Sequence, residues 1–245
     1  MKLLNLTEKE RVKKIGESQV QQAFVEHLKY QIAKKFGVDF PYAYGAFNGS
    51  LDRKYADYFS SVNARNILIE FKEFRGEIKT EKKKPLRQKL CESVTSTDLD
   101  YSLNGHFISW RIPNKDHNKL SVKIDTYLPS VCPLFGIEYH GSNEQGIVKF
   151  VEEYLEFRIG LGNDDFEKYI KTLSDIATDD SDKGSPSFYG VHLTFDPVIG
   201  LDLQIFSTVS ELVEFSKKIS SVKPKKEAKV EPKKDDNGPS FSPGF

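Results

Sequence analysis

Apolar residues recur every four positions at Val20, Phe24, Leu28, Ile32 and Phe36, and this spacing predicts an amphipathic helix. Upstream, Thr7 with Glu10 fits a capping box, and Gly16 interrupts the helical run. Glu17, three residues before Val20, falls on the apolar side of that helix. A carboxylate there is costly unless it has a partner. Beyond the helix the pattern shifts to strands: 40–47 is aromatic-rich, and 54–61 and 66–74 flank the polar turn Val62-Asn63-Ala64-Arg65 and read as a hairpin. Alternation in the second arm sets Ile67, Ile69 and Phe71 on one face and Leu68, Glu70 and Lys72 on the other.

Downstream, a basic loop leads to a helix near 85–96 that begins at Pro85. Strands are expected at 105–112 and 119–127, helices at 143–158 and 164–177, a hairpin over 188–206 turned at Asp196-Pro197, and a helix at 209–220. No internal repeat interrupts this order. After about residue 221 the chain is rich in Lys, Pro and Glu without periodicity, a composition that buries too little apolar surface to offset the entropy of ordering. The stretch 221–245 is therefore expected to be a disordered tail. Its only aromatics, Phe241 and Phe245, fit a peptide that docks a protein partner, and an inert solubilising tail fits as well.

Composition narrows the class. A chain of 245 residues, 38% hydrophobic and 29% charged, fits one large α/β domain or two small ones. No apolar run approaches the roughly 18 residues that span a bilayer, and the N-terminus is too polar after Leu6 to be a secretory signal. Cys91 and Cys132 make neither a disulfide framework nor a metal cluster; reduced thiols in a cytoplasmic protein are the expectation. Formal net charge is zero, yet residues 71–90 hold eight Lys and Arg against three acids, and 217–236 eight Lys against four. Local basic patches on a neutral chain fit a nucleic-acid contact surface, although solvated charge gives the same pattern.

Candidate chemistry centres on Glu70-Phe71-Lys72. With 19 Glu and 29 Lys in the chain, chance alone supplies about two such E-x-K triplets, and Glu77-Ile78-Lys79 and Glu81-Lys82-Lys83 also fit. Context separates the first. It ends an apolar strand, Asp57 lies thirteen residues upstream on the paired strand, and a helix with Glu17 stands behind the hairpin. Glu77 and Glu81 lie past the strand in the basic loop and have no such setting. Cleaving a phosphodiester needs a hard cation to neutralise the phosphate and lower the pKa of an attacking water. Mg²⁺ is satisfied by one or two carboxylates. Asp57 and Glu70 can share one ion with the Phe71 carbonyl, Lys72 can orient water or offset developing charge, and Glu17 can hold a metal-bound water or a second ion. Gln88 can bond the site or the nucleic-acid backbone, and Lys79, Lys82, Lys83, Lys84 and Arg87 can grip phosphates beside it. Taken singly, each of these residues also fits an ordinary polar surface or salt-bridge role. The five histidines, at 27, 106, 117, 140 and 192, lack zinc-ligand spacing, and neither a nucleophile elbow nor a glycine-rich phosphate loop is present. Asp39 and Asp52 suit surface or turn roles.

The helix GESQVQQAFVEHL, the strand YADYF, the strand ILIEFK and the helix start PLRQKL together resemble the PD-(D/E)xK nuclease superfamily, loosely its VRR-NUC and Holliday-junction-resolvase branches. The resemblance covers about residues 17–110, and Ala56 stands where that family usually has Pro. It implies an α/β fold with a restriction-endonuclease-like core, a mixed central β-sheet flanked by helices. The core is expected over 1–127, with a C-terminal α+β extension over 128–220 that fits either a separate unit or part of the same domain. It also implies a Mg²⁺- or Mn²⁺-dependent nuclease acting on nucleic acid, DNA ahead of RNA, in a prokaryotic or phage defence, repair or recombination system. The alternative is an inactive nuclease-fold subunit that binds nucleic acid or assembles with a protein through its tail.

Overall fold

A computed structural model describes residues 16–38, 40–46, 56–112, 121–178, 190–196 and 200–206, with isolated positions at 211, 214 and 217. The expected capping box at Thr7 and Glu10, the acids Asp39 and Asp52, the turn at Pro197, most of the helix over 209–220 and the tail 221–245 lie outside these residues. Helix α1 (Glu17–Phe36) buries Val20, Phe24, Leu28 and Ile32, the stripe that the four-residue spacing predicts. Gly37 ends it at φ +95°, where a side chain would be strained, and its N–H bonds Ala33 O at 3.0 Å.

Strands β1 (Tyr42–Ala46), β2 (Tyr58–Val62) and β3 (Arg65–Phe74) form an antiparallel meander in which Tyr58 pairs with Ile69. The β2–β3 turn is made by Asn63 and Ala64, at φ 48° and 60°. Two successive left-handed residues give a hairpin the twist its strands need, and Asn tolerates that backbone far better than Ala does. From β3 the chain crosses over through a 3₁₀ segment (Arg75–Lys83), α2 (Pro85–Ser93) and α3 (Ser96–Gly105) into β4 (His106–Ile112), which runs parallel to β3. Strands β5 (Ser121–Thr126) and β6 (Gln145–Gly146) extend the sheet antiparallel, giving six strands in sequence order.

The helix expected near 85–96 is α2, which ends at Ser93, and α3, over a stretch given no element in the sequence, follows it. Val94 and Thr95 are extended, and Thr95 caps α3 reciprocally with Asp98. Likewise the expected basic loop is mostly the 3₁₀ segment, which buries Ile78 and Glu81.

Both faces of β3 are covered, so the strand is buried without a break from Asn66 to Lys72, the charged Glu70 and Lys72 included. Ile67, Ile69 and Phe71 pack under α1 with Phe150, Val151 and Tyr154 of α5 (Ile147–Leu155). Leu68 faces the opposite core with Phe59, Ile108, Trp110, Tyr127 of α4 (Tyr127–Val131) and Phe166 of α6 (Asn163–Thr178). Residues between 128 and 173 contribute side chains to the same two cores as the first half. Strands β7 (Gly190–Asp196) and β8 (Gly200–Phe206) pair in a separate antiparallel hairpin.

One expectation is corrected. Cys91 and Cys132 are not reduced thiols but a disulfide with a Cα–Cα distance of 5.5 Å, buried in the core beneath α2 and α4. Linking positions 41 residues apart restricts the unfolded chain, a stabilisation on the order of 4 kcal/mol. No helix among the described residues is long and apolar enough to cross a membrane.

Because Ala64 holds a left-handed backbone at φ 60°, Ala64→Gly is expected to stabilise the fold by about 0.5–1 kcal/mol. Chemical denaturation of the two proteins checks this; an unchanged or lowered midpoint would mean the turn is not under conformational strain.

Candidate active site

Glu70 and Lys72 alternate with Phe71 along β3 and point into the same layer as Leu68. Asp57 immediately precedes β2, so continuing the Tyr58–Ile69 register sets it opposite Glu70. Its Oδ2 accepts a 2.6 Å hydrogen bond from the Phe71 N–H, fixing the side chain across the hairpin. Lys72 Nζ donates to Glu70 Oε1 at 2.5 Å. Glu17 opens α1, where the positive end of the helix dipole favours an acid. Expected on the apolar side of the helix, this side chain is instead exposed at the helix start. It still feels the charges of Lys72, Glu70, Lys84 and Glu77.

These acids share one electrostatic environment. Burial pushes the Asp57 carboxyl well above the usual carboxylate range; Glu70 and Glu17 add to the rise, and Lys72 and the Phe71 N–H oppose it. Partial desolvation also raises Glu17, with Glu70 and Glu77 reinforcing it against Lys72 and Lys84. Burial would lower the Lys72 ammonium, but Glu70 and Glu81 outweigh it and hold Lys72 above the ordinary lysine range.

Glu81 belongs to this site, contrary to the expectation that it lies in the basic loop without such a setting. It has no solvent exposure, like Glu70. The two carboxylates and two lysines close a ring. Lys72 Nζ lies 2.5 Å from Glu70 Oε1 and 3.0 Å from Glu81 Oε1, while Lys84 Nζ lies 2.5 and 3.1 Å from the same two oxygens. Behind it, Arg87 bonds Glu81 Oε2 at 3.0 Å and reaches to 3.6 Å from Glu70 Oε2, and the Tyr127 hydroxyl donates to Glu81 Oε2 at 2.7 Å. Burial would raise the Glu81 carboxyl, yet Arg87, Lys72 and Lys84 hold it well below the usual range. The Tyr127 ring stacks on His106 at 4.0 Å, and His106 Nδ1 lies 2.9 Å from the Tyr169 hydroxyl, carrying the polar network into α6.

The remaining candidates divide. Lys79, Lys82 and Lys83 are exposed on the 3₁₀ segment, open to solvent and free to meet phosphates. Arg87 is corrected: at 0% exposure it serves the buried acids and cannot reach a phosphate from there. Gln88 is exposed and donates to Glu92 at 2.8 Å on the outer side of α2, so the structure does not bring it to the cluster. Beyond the carboxyl ends of β3 and β4, a cavity of about 290 Å³ is lined by Phe74, Arg75, Trp110, Arg111 and Glu144. Arg75 lies over Trp110 and pairs with Glu144, and Arg111 lies over Phe74 and pairs with Glu73, so its walls are aromatic with matched charges.

Among the described residues no group of three or more His, Cys, Asp and Glu side chains is arranged to hold a metal ion. Asp57 and Glu70 nevertheless supply the pair of hard oxygen donors that suffices for Mg²⁺, which keeps several waters. Glu70 Oε2 is buried without a hydrogen bond, with the Arg87 guanidinium 3.6 Å away. The Phe71 backbone joins the site through its N–H. No family model, no curated protein and no solved structure matches this chain.

Glu81→Gln is expected to cost about 3 kcal/mol at neutral pH, because the buried Lys72 and Arg87 and the part-buried Lys84 lose a charged partner. Folding holds Glu81 below its unfolded value of about 4.3, so its contribution is complete above that pH and fades as pH falls toward the lower folded value. Urea unfolding at pH 7 and pH 3 checks this: the gap between wild type and variant should narrow in acid, and an equal gap would show that charge is not the cause.

Proposed function

We propose that the protein is a metal-dependent nuclease of the PD-(D/E)xK type, with a restriction-endonuclease-like core, hydrolysing phosphodiester bonds in DNA. The carrying observation is that Asp57, Glu70 and Lys72 meet at one end of the β2–β3 hairpin, with Glu17 at the start of the neighbouring helix. Two supports stand beside it: the order α1, three-stranded meander, crossover helices and parallel β4 follows the quoted motif, and the exposed lysines at 79, 82 and 83 flank the site. Mg²⁺ or Mn²⁺ held by Asp57 and Glu70 would neutralise phosphate charge and make water more acidic.

The chain's own residues then take distinct roles. Lys72 is held protonated by Glu70 and Glu81, so it acts as a hydrogen-bond donor and positive charge facing the phosphate rather than as a base. The Phe71 N–H keeps Asp57 turned toward Glu70. Glu17, exposed and with a raised carboxyl pKa, is placed to pass a proton between a site water and solvent. We place the reaction in the cytoplasm of a prokaryotic or phage system of defence, repair or recombination, where burial would shield the Cys91–Cys132 bond from reductants.

A second reading has its own support. The ring leaves Glu70 and Lys72 internally neutralised, as in a nuclease fold retained only for binding or assembly. One assay separates the two. Plasmid, linear and single-stranded DNA are incubated with the protein in Mg²⁺, Mn²⁺ or EDTA, beside Glu70→Gln and Lys72→Ala. Metal-dependent cutting that falls at least about a hundredfold in both variants is expected. DNA retention without cutting would favour the binding subunit, and cutting that survives both substitutions would remove this site from the reaction.

A further inference from the structure

Glu70 Oε1 is approached by two ammonium groups, Lys72 and Lys84, each at 2.5 Å. They differ in freedom. Lys72 rises from the sheet and is 5% exposed, whereas the Lys84 side chain is 23% exposed. Lys84 also sits between the 3₁₀ segment and α2, at φ −88° and ψ 111°, with its N–H bonded to Glu81 O at 3.0 Å and its carbonyl accepting from the Arg87 N–H at 3.0 Å, so its freedom lies in the side chain alone. Its ammonium already lies 3.1 Å from Glu81 Oε1, a second partner within reach.

Resting on the metal-dependent reading above, we propose that Lys84 is the internal counter-ion of this site, holding Glu70 while no divalent cation is bound and shifting onto Glu81 when one arrives. Charge dictates the exchange. Lys72 and Lys84 already meet Glu70 Oε1 and Arg87 lies 3.6 Å from Oε2, so a divalent ion brought to Glu70 competes with cations already on that carboxylate. Arg87 has no exposure and Lys72 almost none. Lys84 alone of the three has both an alternative acid and a path toward solvent. This also accounts for the burial of Glu81: it receives the displaced ammonium and keeps it near the site. The internal neutralisation that favours an inactive subunit then becomes the cation-free state of an active one.

Binding of Mn²⁺ alone to the full-length protein, followed by electron paramagnetic resonance of the free ion and by calorimetry at fixed pH and salt, tests the exchange. Lys84→Met is expected to tighten Mn²⁺ binding about tenfold, while Lys84→Arg, which keeps the competing charge, stays within about twofold of wild type. Glu70→Gln is expected to abolish binding. Lys84→Gln repeats the measurement should circular dichroism show that Met disturbs the fold. If Mn²⁺ binds through Glu70 but Lys84→Met leaves its affinity unchanged or weaker, the counter-ion role is overturned while the metal reading stands. If wild type and all variants bind no Mn²⁺, or binding survives Glu70→Gln, the metal reading falls and the inference with it.

Discussion

A carboxylate sealed from water must be met by cations and hydrogen bonds, and Glu70, buried in a strand covered on both faces, imposes that demand on everything around it. The partners arrive from three directions. Lys72 comes from the same strand, Lys84 and Arg87 from the crossover, and Tyr127, through Glu81, from the start of α4. An arrangement of this kind is held by geometry more than by net attraction: losing one member strands the others in a low-dielectric interior.

The architecture follows from that requirement. A parallel connection between β3 and β4 needs a crossover, and here it lays Glu81 and Arg87 over the polar end of β3. The Cys91–Cys132 bond ties α2, which carries Arg87, to the segment just after α4, which carries Tyr127. Two elements that supply the backing of the ring are thereby cross-linked outside it. Asp57 and Glu17 are less fully enclosed, and their raised carboxyl pKa values reflect desolvation and repulsion from Glu70. The site is thus graded, from fully matched charges inside to under-compensated acids at its mouth.

That grading joins the two functional readings. A catalytic centre needs acids that a cation stabilises, and a stable fold needs acids already neutralised. Asp57 and Glu17 have the first character, Glu81 has the second, and Glu70 stands between them.

Local pattern was enough to place α1, the β2–β3 hairpin and the division of Ile67, Ile69 and Phe71 from Leu68, Glu70 and Lys72, because helix and strand periods are properties of neighbouring residues. The pairing of Asp57 with Glu70 was legible for the same reason, since a short hairpin sets its own register. Glu81, Lys84, Arg87 and Tyr127 were not legible as a unit. Their spacing along the chain carries no period, and Glu81, set among solvated lysines, gives no sign that the crossover folds it inward. The pairing of Cys91 with Cys132, and the reach of residues 128–173 into both cores, likewise depend on how distant segments pack. Sequence alone determined which acids and amines could share a strand face; tertiary structure decided which buried charges had to be neutralised, because desolvation is a property of the whole packed interior and not of any one segment.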